Sequence, residues 1–465
     1  MPAEGRPPFP TGCECHVGRS LSVSDSSSGF ATPNRICDTD GQSFRYLTLA
    51  RNSVSYMSQN VVKHATLPNG LTVLVETMPA VQSAAFALLV EGGSVYDPPQ
   101  QNGTATALAD WMARGAGDRS SRELLAELDR LGIQGNETAS TQHLVFRGSC
   151  LAINLASALR VYGDIVLRPH LEEAEFEAVM SGVEHGLLSI EDEPRQKVMV
   201  ELLRRSYPHP WGQPSEGTLA DLENMTPETV QEHYHQVVKP KGAILGIAGN
   251  VTLESVLPVV TEVFGGWTGA NTRTIPFGTC SPVQEHLDHE SAQTQIGVAY
   301  PAVAYSDPEY YAAWAAVNVL SGGMSSRLFT EIREKRGLVY SVYATLNTLK
   351  NRGQVLCYAG TTSERAQETL DVLRTELVRL GDGIGQDELD RCKARAKSSL
   401  IMAQESSGSR AASLARNWYH LGRIVTLQEV RQEIEALTVQ TVLDYVHKHP
   451  AEHFTILTIG PQALK

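Results

Sequence analysis

Hydrophobic residues follow no regular spacing at the start of the chain and become periodic at about Val61. Residues 1–60 are rich in Ser, Pro, Gly and Arg, and such a composition buries too little apolar surface to offset the entropy of ordering. We therefore expect either a disordered tail or an over-long N-terminus with the natural start at Met57. A third alternative is an organellar targeting segment, although acidic residues interrupt its basic ones.

The periodicity after Val61 predicts alternating strands and helices. The segment 61–78, VVKHATLPNGLTVLVETM, has two β-rich runs on either side of a Pro-Asn-Gly turn, which is typical of a hairpin. Apolar residues recur with helical spacing at 103–114 and at 172–190. The run GAILGIAGNV at 242–251 has the continuous apolar character of a buried strand.

The pattern then starts a second time. Residues 268–285 are polar, rich in turn residues and aperiodic, which indicates a linker. After this linker, QTQIGVAYPAVAYSDPEYY repeats the order of SAAFALLVEGGSVYDPPQQ: a strand, a break, Asp-Pro and a helix. We therefore predict an α+β fold of two related domains, 61–267 and 286–465, each an antiparallel sheet covered by helices.

Composition and charge exclude several classes of protein. A chain of 465 residues is too long for one hydrophobic core, and 42% hydrophobic with 20% charged residues is typical of a globular protein. The 39 basic and 52 acidic residues give a net charge of −13, which argues against binding to nucleic acid or to anionic membrane surfaces. No apolar run approaches the ~20 residues of a membrane span.

Cysteine usage favours an intracellular, soluble protein. Seven cysteines, an odd number spread thinly along the chain, do not make a disulfide scaffold. Cys13, Cys15 and His16 are close in sequence, but the paired second half of a typical zinc site is missing. The compartment itself stays open.

One long motif points to a family. The segment 322–344, GGMSSRLFTEIREKRGLVYSVYA, resembles the C-terminal-half signature of the pitrilysin–insulinase–processing peptidase family of zinc metallopeptidases. The first half agrees along its length, for example in LPNGLTVLVE at 67–76, LGIQGNETAST at 131–141 and HPWGQPSEGT at 209–218. The resemblance implies two related α/β domains that face each other like a clam and enclose a peptide substrate.

The zinc motif of this family is degenerate here. The family's H-x-x-E-H places two His ligands and a Glu base on one helix face, and a Glu on a later helix completes the zinc site. Aligned on NGTATALAD at 102–110, the first His position is Thr106, the catalytic Glu position is Ala109 and the second His position is Asp110. The later Glu position is Gly186. We therefore expect no zinc in this chain and expect the zinc in a partner subunit.

Other residues offer a remodelled metal site as an alternative. His143 lies on a nearby candidate strand and His185 is next to the lost carboxylate position, so that with Asp110 they supply three possible ligands. Successive helix positions differ by about 100° in direction, so we expect His185 to point away from the site. The His-x-His pair at 233–235 lies on an amphipathic helix and is expected to be solvated.

The signature residues Arg333 and Tyr340 are retained. The run EIREKR ends a helix, Gly337 suits the residue after the helix, and LVYSVYATL begins a strand, so the two residues flank a tight corner. The resemblance implies that both reach the scissile carbonyl of the substrate and stabilise its developing charge. The alternative is that Arg333 pairs with a neighbouring Glu and that Tyr340 only packs.

A second stretch matches the family's edge strand, to which the substrate peptide adds as a further strand. Its residues are Asn136, Glu137, Thr138 and Ala139. The family usually has a small residue at the position of Glu137. A glutamate at this position either narrows the pocket beside the cleaved bond or has no effect.

Three functions follow from these observations. The first is the non-catalytic subunit of a heteromeric peptidase, inactive alone, which binds peptide and stabilises the scissile carbonyl beside a zinc-bearing paralogous partner. The second is a structural or peptide-binding pseudo-enzyme, similar to core subunits of a respiratory complex. The third is a metalloendopeptidase with a remodelled metal site. We favour the first, because the zinc positions are lost while the Arg–Tyr pair is kept.

Overall fold

The computed structural model describes residues 61–465. The predictions for residues 1–60 and for the Cys13 cluster lie outside this range. The described part contains two β-sheets, each covered by α-helices, which confirms the predicted α+β class. None of its helices is both long and apolar enough to cross a membrane.

The first sheet comes from the N-terminal half. Within the described residues its strands are β1 (Val61–Thr66), β2 (Thr72–Thr77), β3 (Ser83–Glu91), β4 (Gln134–Ala139), β5 (His143–Leu151) and β6 (Ile244–Gly249), in the spatial order β1-β2-β6-β3-β5-β4. β1 and β2 form the predicted hairpin. In its turn, Gly70 has a φ of +94°, a conformation that favours glycine. The Asn69 side chain ties the turn down by donating hydrogen bonds to the carbonyl oxygens of Phe264 and Trp267.

The helices of this half occur in groups between its strands and after the last of them. They are α1 (Thr104–Met112), α2 (Ser121–Leu131), α3 (Leu155–Leu167), α4 (Glu173–Asp192), α5 (Pro194–Ser206), α6 (Leu219–Leu222), α7 (Pro227–Val237) and α8 (Leu253–Phe264). The helices predicted at 103–114 and 172–190 correspond to α1 and α4. Large buried side chains, among them Trp111, Tyr162 and Phe264, fill the layer between helices and sheet and stabilise it by removing apolar surface from water.

The second half repeats this architecture. Its strands within the described residues are β7 (Gln284–Asp288), β8 (Gln293–Ala302), β9 (Val339–Thr348), β10 (Gly353–Thr362) and β11 (Thr455–Gly460), in the order β7-β11-β8-β10-β9. Its helices are α9 (Tyr310–Ser321), α10 (Ala366–Arg379), α11 (Gln386–Gln404), α12 (Ser407–Leu421), α13 (Leu427–Ala436) and α14 (Val439–Lys448). Residues 268–283 form no helix or strand apart from a bridge between Lys241 and Ala270. The last two residues of the predicted linker belong to β7.

Each sheet is antiparallel, as predicted, except at one pair of strands in the described chain. β2 and β6 run parallel, and so do β7 and β11. Parallel neighbours need a long crossover connection, and the helices between these strands supply it. The shared exception supports the internal repeat of the two halves.

In each half, one helix packs against the sheet of the other half. α5 packs on β8 and β11, where Val198 and Leu202 meet buried residues of the second sheet. α12 packs on β3 and β6 of the first sheet. The approach is close: a Cβ on Gly246 of β6 would lie 2.4 Å from the carbonyl oxygen of Ala411. The exchange joins the two halves through both of their cores.

Candidate functional site

A buried carboxylate binds the N-terminus of α1, the helix that carries the degenerate motif. Asp97 accepts hydrogen bonds from the backbone N–H groups of Gly103 and Ala105, both at 2.8 Å. Burial raises the pKa of Asp97 to about 7. These contacts fix the direction of α1 and therefore place the side chains at the lost zinc positions.

Three of the four degenerate positions offer nothing to a metal. Thr106 Oγ1 donates a hydrogen bond to the carbonyl oxygen of Ser215, and Ala109 is buried. Gly186 is exposed on α4, and a Cβ built there meets no heavy atom within 4 Å. A hydroxyl group that is already engaged, a methyl group and a hydrogen atom do not replace imidazole or carboxylate ligands.

The fourth position, Asp110, is part of an ion-pair network. Its carboxylate lies 3.0 Å from the guanidinium of Arg114, which also lies 3.5 Å from Glu175 of α4. In the part of the chain that the structure describes, no group of three or more His, Cys, Asp and Glu side chains could hold a metal ion. The alternative set of Asp110, His143 and His185 is therefore not brought together, and the residues present do not fit the family's zinc.

The open space at Gly186 leads to a prediction about stability. We expect Gly186→Ala to raise the free energy of unfolding by about 0.5–1 kcal/mol, because alanine is the better helix former and nothing obstructs its methyl group. Gly163→Ala in α3 is the matched control, since its Cβ would lie 2.1 Å from Val263 Cγ1 and should destabilise the protein. Urea unfolding measures both changes. A destabilised Gly186→Ala protein would contradict the exposure of this helix face.

Two candidate histidines are buried. His143 in β5 is 6% exposed, and its ring packs edge-on against Tyr419 of α12 with 4.4 Å between ring centres. His233 in α7 is 1% exposed, because the helix turns it inward until its Nε2 lies 4.0 Å from Asp97 Oδ1. The prediction that the His-x-His pair is solvated is therefore wrong for His233, whereas His235 is exposed.

The burial of these two histidines makes the stability of the protein depend on pH. It lowers the pKa of His143 to about 3 and that of His233 to about 4, from an ordinary value of 6.5. At pH values between these lowered pKa values and 6.5, the unfolded chain binds protons that the folded chain does not. The contribution of each neutral histidine to the free energy of unfolding is therefore complete above about pH 6.5 and falls as the pH decreases. Each histidine contributes a slope of about 1.4 kcal/mol per pH unit at most.

We expect His143→Phe to reduce the slope of the free energy of unfolding against pH between about pH 5 and pH 6. The reduction corresponds to the uptake of up to one proton fewer on unfolding. The phenylalanine ring keeps the packing against Tyr419 and removes the titrating nitrogens. Denaturant unfolding at several pH values measures the slope. His185→Phe is the control, because His185 is exposed and its replacement removes no buried imidazole. An unaltered slope in His143→Phe would show that this imidazole is not held neutral.

The predicted peptide-binding strand is β4. It is the outermost strand of the first sheet among the described residues, and only β5 pairs with it. Alternate residues face opposite sides: Asn136 and Thr138 are exposed, and Glu137 and Ala139 are half-buried. Burial raises the pKa of Glu137 and the charge of Asp110 raises it further, against a hydrogen bond with Tyr162 that lowers it. Glu137 thus lies beside α1, and its effect on a bound peptide stays a prediction.

Arg333 and Tyr340 flank the predicted corner. A π-helical turn, Phe329–Glu334, is followed by Gly337 with a φ of +57° and then by β9. The guanidinium carbon of Arg333 lies 4.8 Å from the ring centre of Phe329 and 5.2 Å from that of Tyr340, which is 84% exposed.

The neighbouring carboxylate does not neutralise Arg333. Glu331 pairs with Lys335 and Arg336 instead. Within residues 61–465, no ion pair is formed by Arg333, so the alternative in which it pairs with a neighbouring Glu is not observed. No hydrogen bond, ion pair or ring contact within this range joins the corner to α1 or β4. The predicted site residues therefore form two separate groups.

Sequence reasoning missed one arrangement of polar residues. Arg195, in the first turn of α5, lies over the rings of Tyr343 in β9 and Tyr358 in β10. The three residues are far apart in sequence, and only the exchange of α5 onto the second sheet brings them together. No local motif signals this contact.

Comparisons with known proteins agree with this architecture. The family model described as insulinase (peptidase family M16) matches residues 72–218. The model described as the peptidase M16 inactive domain matches residues 224–396. An uncharacterized zinc protease of Bacillus subtilis, YmxG, is 27% identical over 408 residues, which cover 86% of this chain and 98% of the relative.

Solved structures share the fold. A structure described as the peptidase M16 inactive domain from Pseudomonas fluorescens superposes with a TM-score of 0.81 at 20% identity, covering 87% of this chain and 99% of that one. A chain of complex III from Candida albicans gives a TM-score of 0.77 at 18% identity, covering 86% and 96%. These TM-scores establish that the chains share a fold.

Proposed function

Because the chain belongs to the insulinase-type M16 peptidase family, we propose that it is the non-catalytic subunit of a two-subunit peptidase. A paralogous partner with an intact zinc motif supplies the metal. This chain binds the peptide and contributes Arg333 and Tyr340 to the scissile carbonyl. Alone, it does not hydrolyse peptides.

The contrast between the two groups of site residues supports this role. The zinc positions on α1 and α4 have become a hydroxyl group bound to the backbone, a buried methyl group, an ion-paired carboxylate and a glycine. The Arg333–Tyr340 corner keeps a guanidinium without an ion pair in residues 61–465 and an exposed phenol. Donors that no internal acceptor uses can stabilise the oxygen of a substrate carbonyl as negative charge develops on it.

The position of β4 supports peptide binding. An outermost strand presents backbone N–H and C=O groups that an extended peptide can pair with, whatever its side chains. Asn136 and Thr138 are exposed on this strand and leave one of its faces accessible. Peptide binding by strand addition also tolerates many sequences, as a processing peptidase requires.

Native mass spectrometry of the tagged chain purified from its own cells tests the subunit role. We expect a heteromeric mass that contains a related chain with an intact H-x-x-E-H motif and one zinc ion. Removing the partner should abolish peptidase activity in the purified sample. A zinc-free monomer or homodimer as the only species would contradict the proposal and favour a peptide-binding or structural pseudo-enzyme.

A further inference from the structure

The face of the second sheet that receives α5 carries a platform of two tyrosine rings at the start of that helix. Tyr343 of β9 is directly opposite Tyr358 of β10, and the two rings stack with 5.2 Å between centres and 30° between planes. The Tyr358 hydroxyl donates a hydrogen bond of 2.6 Å to Oε1 of the buried Gln295. A Cβ on Gly360 would lie 2.6 Å from this hydroxyl, so the glycine makes room for the contact.

Arg195 lies on this platform. Its guanidinium carbon is 5.6 Å from the ring centre of Tyr343 and 5.2 Å from that of Tyr358, and the residue is exposed. Burial raises the pKa of Tyr358, and the negative charge of Glu193 raises it further. In the described chain, however, no carboxylate lies within 4.0 Å of the Arg195 guanidinium. The guanidinium is thus held by two aromatic rings and has no anion of its own.

This arrangement suits one class of ligand. Contact with aromatic rings restricts a guanidinium, and its N–H groups stay available for two parallel hydrogen bonds to a carboxylate. A restricted donor loses less side-chain entropy on binding than a free one. An uncharged amide of the same shape presents one acceptor and no charge, so it should bind less tightly.

We propose that Arg195, supported by Tyr343, Tyr358 and Gln295, binds a carboxylate group of the peptide substrate. This inference rests on the proposed peptide-binding function and adds a preference to it. The carboxylate belongs either to the C-terminus of the peptide or to an Asp or Glu side chain. Both sources offer the same two oxygen atoms to the guanidinium.

Fluorescence anisotropy with the full chain distinguishes the two sources. The probes are labelled alanine–serine–leucine peptides in two matched pairs: a free C-terminal carboxylate against a C-terminal amide, and an internal Glu against Gln in an amidated peptide. We expect one pair to show binding about tenfold tighter for the carboxylate form, the scale of a charged hydrogen-bonded pair. The pair that shows this difference identifies the source.

Substitutions assign the preference to Arg195. Arg195→Gln should reduce the ratio of dissociation constants within that pair to about one, and Arg195→Lys should keep only a small part of it, because lysine lacks the planar fork. Arg122→Gln on α2 is the control, since Arg122 is also exposed and should leave the ratio unchanged. Circular dichroism checks that each variant is folded.

Two results would overturn the inference, and they differ in meaning. If the wild-type chain binds both members of each pair equally, or Arg195→Gln keeps the tenfold ratio, then Arg195 does not bind a carboxylate of the peptide. The proposal that the chain binds peptides is not affected by this result. If the wild-type chain binds none of the probes at any protein concentration, peptide binding by this chain fails as well.

Discussion

Replacing Arg410 with alanine is expected to lower the free energy of unfolding by about 3–5 kcal/mol. Arg410 is in α12, the helix that the second half lends to the first sheet, and faces Glu76 of β2. Its Nε and Nη2 donate hydrogen bonds of 2.9 and 2.7 Å to Glu76 Oε2, and the two side chains are 5% and 1% exposed. Without the guanidinium, the buried Glu76 carboxylate loses the charge and the hydrogen bonds of Arg410, which had offset part of its desolvation.

Urea unfolding of the wild-type protein and of Arg410→Ala measures this effect. Arg416→Ala is a matched control on the same helix, because Arg416 is exposed and its guanidinium only lies 6.0 Å from the ring centre of Tyr305. We expect the control to change stability by less than about 1 kcal/mol. A similarly small effect in Arg410→Ala would mean that the ion pair of Arg410 with Glu76 does not stabilise the packing of α12 on the first sheet. The double replacement Glu76→Leu with Arg410→Met should recover much of the loss, because both charges of this buried pair are removed together.

Local sequence patterns were sufficient where local physics decides the structure. The Pro-Asn-Gly turn between two β-rich runs specifies the hairpin of β1 and β2, since Gly70 supplies the positive φ that the turn needs. Helical spacing places α1 and α4 to within two residues at each end. The corner of Arg333 and Tyr340 was also readable, because Gly337 ends the helical turn and apolar alternation begins the strand.

The exchange of helices was not readable in the same way. Periodicity shows that Val198 and Leu202 of α5 share an apolar face, but it does not say which sheet that face covers. The ion pair of Arg410 with Glu76 and the stacking of Arg195 on Tyr343 depend on this choice. His233 shows the same limit on a smaller scale. A polar residue on an amphipathic helix looks solvated until a buried carboxylate, Asp97, is found beside it.

In the proposed two-subunit peptidase, Arg333→Ala in this chain is expected to reduce kcat by about 10²–10³-fold with little change in KM. The guanidinium is half-buried between the rings of Phe329 and Tyr340, which restricts it before substrate binds. A donor that is already in place stabilises the carbonyl oxygen mainly when charge develops on it, so its loss affects the chemical step more than substrate binding. Steady-state kinetics on a labelled peptide measures both constants.

Arg336→Ala is the control for this prediction. Arg336 is three residues further along, and its guanidinium is bound to Glu331, so the same loss of a positive charge there should leave kcat unchanged. Tyr340→Phe keeps the ring over Arg333 and removes the hydroxyl group, so any fall in kcat would come from the lost donor. If Arg333→Ala and Tyr340→Phe both leave the partner's kcat unchanged, the corner does not act on the substrate. The chain would then serve the peptidase as a structural subunit, because its own zinc positions cannot restore activity.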